Sequence, residues 1–160
     1  MATMDTLIIT FILIQTILLV IMPLHDWVHL PPLTDVHELK KHHSITDRLI
    51  TSIIFAITIA TPLLLTILYR SSLPLWVIIT LVLIYGMISL GTVFSWWIPY
   101  LFGSPAQHKT AFAEYRFTHR FLPARDDNVI PNTFHVILHL HIWACWVISL
   151  YLLFNYFIAS

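Results

Sequence analysis

Glycine, cysteine and charge are all scarce in this chain. Of 160 residues only 3 are glycine and 1 is cysteine, and 10% are charged. None of the usual glycine-rich phosphate loops is present, and together with the short length this excludes a nucleotide-binding domain. The single Cys145 removes an intrachain disulfide framework and any zinc site built on paired cysteines. Lysine plus arginine equals aspartate plus glutamate at 8 each, so no net charge points to nucleic acid. What the chain has instead is apolar length: 58% of residues are hydrophobic and the mean hydropathy is +0.83, far outside a soluble domain's composition.

Charged residues fall in blocks, and the gaps between them define spans. Thr6 to Pro23, Leu49 to Tyr69, Ser71 to Gln107 and Asn128 to Ser160 carry none. The runs lack the alternation of barrel strands, and backbone groups in lipid must then be satisfied within helices. The expected fold is all-α: an integral-membrane four-helix up-and-down bundle with spans at about 6–23, 48–69, 73–101 and 133–157, each long enough for a ~30 Å hydrocarbon core. One membrane domain, 1–160, carries two long loops at about 24–47 and 102–132. Those loops hold Lys40, Lys41, Arg48, Lys109, Arg116, Arg120 and Arg125, whereas the opposite side holds only Arg70. The positive-inside rule therefore makes both loops cytoplasmic and both termini non-cytoplasmic, and points to a plasma (inner) membrane. Asp35 with Glu38, Ser44 with Asp47, and Asn132 are expected helix caps. Trp96, Trp97 and Tyr100 read as an interfacial aromatic belt, with Pro99 kinking or stopping the third helix. Ser89, Gly91 and Ser95 offer a close-packing stripe.

All 10 histidines lie in the two loops or on the adjoining thirds of spans one and four. His25 and His29 are four apart, so a helical turn continuing past Pro23 sets both on one face, and His135 and His139 repeat that spacing. If the first and last helices are neighbours, the two pairs meet at one depth. Imidazole suits zinc, copper, iron or nickel, which makes His25, His29, His135 and His139 a candidate metal site, with His37, His42, His43 and Asp26 as further ligands or orienting partners. Acid–base chemistry at the same place is the alternative for these side chains. His141 lies two residues beyond His139 and faces elsewhere on a helix. Arg116, Arg120 and Arg125 form a second candidate, a cap that binds a phosphate or carboxylate headgroup.

The clusters His25-x3-His29, His37-x4-His42-His43 and His135-x3-His139-x-His141 loosely resemble the histidine boxes of membrane di-iron hydroxylases and desaturases. The likeness is one of composition and covers these histidines alone. The middle box has one residue too many, the last has His-x-His where adjacent histidines are expected, and the chain is short for that group. Iron, zinc-activated water or a b-type haem are the cofactors compatible with the spacing, and a lipid-like or membrane-dissolved substrate is the natural one for a site opening at the bilayer face. The competing expectation is a non-enzymatic scaffold whose loops bind lipid headgroups, a membrane-protein partner or a second copy of the chain. Whether the protein is an enzyme is left open by the residues alone.

Overall fold

The computed structural model describes residues 2–159. It is all-helical, with no strand among the described residues. Four stretches are long and apolar enough to cross a membrane: Met4–Pro23, Ile45–Leu68, Leu75–Phe102 and Thr133–Ile158. They belong to α1 (Ala2–Leu24), α3 (Ile45–Leu68), the pair α4 (Leu75–Thr92) and α5 (Ile98–Phe102), and α7 (Thr133–Ala159); the short α2 (Val36–His42) and α6 (Ala106–Ala111) lie in the loops. The outward sides carry exposed Ile9, Leu13, Ile57, Leu64, Leu83, Met87, Leu90 and Phe154, the surface that acyl chains would cover. Phe11, Leu18, Ile59, Leu81, Tyr85, Ile142 and Cys145 fill the shared core.

Helix starts follow the caps. The Asp35 carboxylate accepts from the His37 and Glu38 backbone N–H groups, both at 3.1 Å. The reciprocal half of that box is missing, because Glu38 turns to Lys41 and Arg116 instead. Ser44 and Asp47 do form both halves, opening α3. Asn132 Oδ1 accepts from the His135 N–H at 2.8 Å and opens α7.

Helix α1 packs on α3 and α7, and α7 packs on α1 and α4, while α3 and α4 meet along a thinner seam. A buried hydrogen bond joins α1 to α3 within the apolar span, from Gln15 Nε2 to Thr66 Oγ1 at 3.1 Å. The close approach of α4 and α7 is at Gly86, where an added Cβ would lie 3.0 Å from the Trp146 indole nitrogen. The expected stripe at Gly91 and Ser95 does not close-pack. Gly91 has open space before it.

The third span departs from the sequence expectation. Pro99 has no N–H to give the Ser95 carbonyl, which a regular helix would leave unbonded. The chain forms a π-turn over Val93–Trp97, with the Ile98 N–H reaching back five residues to the Val93 carbonyl. Helix then continues to Phe102 and ends at Gly103, whose φ of 118° favours glycine. With this offset Trp96 and Tyr100 are buried. They are not an aromatic belt on lipid.

Candidate functional site

A cavity of about 520 Å³ lies between the helices at the end carrying the long loops. Its inner wall is apolar, from Phe55, Ile88, Leu138 and Ile142, and its outer part is polar, from His25, Asp26, Glu114, Tyr115, His135 and His139. Thr51 of α3 and Gly91 of α4, together with Ser95 of the π-turn, line it and are exposed, so it reaches the surface along the thin α3–α4 seam.

Three of the four paired histidines come together here. The rings of His25 and His135 are 5.5 Å apart, edge to face, and those of His135 and His139 are 6.0 Å apart. His29 does not join them. Helix α1 ends at Leu24, a turn follows over residues 25–27, and His25 and His29 therefore do not share a helical face. The His29 ring packs edge-on against His37 at 4.6 Å and lies 3.9 Å from Asp35. His42 and His43 go to carboxylates of the loops, His42 to Glu38 at 3.7 Å and His43 to Glu114 at 2.8 Å. His141 bonds the Ile137 carbonyl one turn back on its own helix. Among the described residues no group of three or more His, Cys, Asp or Glu is placed to hold a metal ion.

Hydrogen-bond partners determine where each ring carries its proton. The His135 backbone N–H can only donate, so the Asn132 atom it meets is the oxygen. That oxygen also meets His135 Nδ1 at 2.8 Å, which makes Nδ1 the protonated nitrogen and leaves Nε2 as an acceptor. For His139 the order is reversed. The Trp97 indole N–H donates to Nδ1 at 3.1 Å, so the neutral ring carries its proton on Nε2. His25 Nδ1 donates to the Met22 carbonyl, and its Nε2 lies 3.0 Å from Asp26 Oδ1. Burial pushes the Asp26 carboxyl above the usual aspartate range, while the charges of His25, Arg48 and His43 pull it back.

The surroundings hold these rings in place. Trp96 packs on His135 at 4.2 Å between ring centroids, and Tyr115 meets the same ring edge-on at 4.7 Å. Burial pushes the Tyr115 phenol well above its ordinary range, and the carboxylates of Glu114 and Asp26 act in the same direction, so it stays protonated. Arg48 donates to the Asp26 backbone carbonyl and lies over the Trp27 ring at 4.4 Å. The two loops close over the site together: the His119 N–H reaches the Pro32 carbonyl at 2.7 Å, and Arg116 reaches Glu38 at 3.1 Å.

The three arginines expected to gather an anion each have a partner of their own. Arg116 is on Glu38, Arg120 donates to the Tyr115 carbonyl at 3.1 Å, and Arg125 lies over the Tyr100 ring at 5.4 Å. Sequence reasoning missed Trp96, Trp97, Glu114 and Tyr115 as parts of the site. The Trp-Trp pair two residues before a proline carried the signal for the first two, since a proline inside an apolar span demands a local rearrangement. No protein-family model matches the chain, and no curated protein or solved structure matches it either.

Proposed function

We propose that this chain is an integral-membrane protein that carries out acid–base chemistry on a membrane-dissolved amphipath. Its helices cross the bilayer alternately, with both long loops cytoplasmic and both termini on the other side, a reading that the distribution of lysine and arginine supports. The substrate enters along the α3–α4 seam, leaves its tail against Phe55, Ile88, Leu138 and Ile142, and brings its polar end to the histidines. One observation carries this reading: a half-apolar cavity ends on histidine rings whose proton positions are set by Asn132 and Trp97, beside the His25–Asp26 pair. His25 Nε2 and the Asp26 carboxyl lie 3.0 Å apart, two titratable groups side by side from which a general acid or base can be drawn. A metal held through His139 Nε2 would have to reverse the tautomer that Trp97 imposes, so proton transfer fits the geometry better. A second reading is favoured by exposed Phe117 and Phe121 on the second loop, which suit a scaffold resting on headgroups or a partner.

The substrate need not be identified for this reading to be tested. Protein in nanodiscs is incubated with a crude membrane-lipid extract in deuterated, oxygen-18 water, and the lipids are scanned for mass gain. We expect at least one lipid to gain label with the native chain, and none with Asp26→Asn or Gly91→Leu. Gly91→Leu places bulk at the lining of the cavity where a Cβ meets open space, and it improves helix propensity, so it should fold normally. Absence of labelled lipid with the native chain, or labelling that persists in both folded variants, would overturn the acid–base reading.

A further inference from the structure

Resting on that reading, we infer that the ligand is a lipid alcohol: a neutral hydroxyl head on a single chain or compact ring system. Two locked tautomers select such a head. His135 offers an acceptor at Nε2 and His139 a donor at Nε2, and among the described residues no protein group bonds either atom. A hydroxyl is the simple head that both donates and accepts, whereas a carboxylate only accepts and an ammonium only donates. Both rings line the cavity with centroids 6.0 Å apart, which brings one head group within reach of the two together.

Charge and size point the same way. Among the described residues Arg48 is the only lysine or arginine in the lining, against the carboxylates of Asp26, Asp47 and Glu114, and it is already engaged by the Asp26 carbonyl and the Trp27 ring. An anionic head is therefore disfavoured. An ammonium is disfavoured by hydrogen bonding and not by charge, since it has no lone pair to accept from the His139 N–H. A cavity of about 520 Å³ holds on the order of 17 heavy atoms at about 30 Å³ each, the share of a liquid water molecule. That suits one chain or a fused-ring skeleton.

The experiment uses the full chain in phosphatidylcholine nanodiscs with a diazirine-bearing hexadecanol as photo-crosslinker. Unlabelled hexadecanol, hexadecyl methyl ether, hexadecanoate and hexadecylamine compete at equal mole fraction in the bilayer. Crosslinks should map to the cavity wall, and hexadecanol should compete at least ten-fold better than the ether, which lacks the donor, and better than either ion. Asn132→Ala frees the His135 tautomer, whose Nε2 then no longer has to accept, and the alcohol-to-ether preference should fall to within about three-fold while crosslinking persists. Trp97→Phe, which frees only the His139 donor that an ether can also meet, should leave that preference in place. Equal competition by ether and alcohol, or stronger competition by hexadecanoate or hexadecylamine, overturns the alcohol assignment while leaving an amphipath in the cavity. No cavity crosslink at all in the native chain overturns both this assignment and the amphipath site beneath it.

Discussion

Trp96→Ala should destabilise the protein by about 3–5 kcal/mol, the usual loss on truncating a buried aromatic side chain. The indole touches Phe112 at 4.5 Å, Tyr115 at 5.4 Å and His135 at 4.2 Å between ring centroids, so it joins the π-turn, the second loop and α7. The space it leaves merges with the neighbouring cavity, where lipid or water can fill part of it, and this favours the lower end of the range. Trp96→Phe keeps an aromatic face on His135 and should lose clearly less. Unfolding in mixed micelles of mild detergent and SDS, followed by circular dichroism, reads both variants. A loss under about 1 kcal/mol for alanine would mean that Trp96 points to lipid, because interfacial positions away from packed contacts tolerate truncation.

Asn132→Ala should cost about 2–4 kcal/mol, combining a lost helix cap with buried groups left unsatisfied. The side chain accepts from the His135 N–H and from its ring, and donates to the Thr118 hydroxyl at 2.9 Å. All of this occurs at a residue only 2% exposed. Asn132→Asp separates capping from bulk, since a carboxylate still accepts from both His135 groups and loses only the bond to Thr118, whose hydroxyl already donates to the Tyr115 carbonyl. Aspartate should therefore recover more than half of the alanine loss in the same unfolding assay. If alanine and aspartate lose equally, the acceptor role assigned to Asn132 is wrong, and the His135 tautomer with it.

Four apolar helices are legible in the sequence because their signals are local. Long charge-free runs and caps at Asp35, Ser44 and Asn132 need nothing beyond neighbouring residues to be read. Reach across the chain is harder. Whether His25 meets His135 depends on α1 lying beside α7, which helix spacing alone does not decide. Spacing misplaces His29, because four residues imply a shared face only while the helix lasts, and α1 stops at Leu24. Trp96 misleads for a related reason. A tryptophan at the end of an apolar run suits an interface, yet the π-turn ahead of Pro99 shifts the helical phase and the ring is buried. Glu38 and Arg116 are 78 residues apart, and no periodicity could have paired them.

The chemistry proposed for the cavity depends on His135 and His139 holding fixed and opposite proton positions. Nitrogen-15 NMR of histidine-labelled protein in nanodiscs reads these positions, with Asn132→Ala and Trp97→Phe as assignment controls. Neutral His135 should carry its proton on Nδ1 and neutral His139 on Nε2, and each ring should lose its preference only in its own control. Both rings protonated on the same nitrogen, or a pattern that neither substitution changes, would contradict the proposed site.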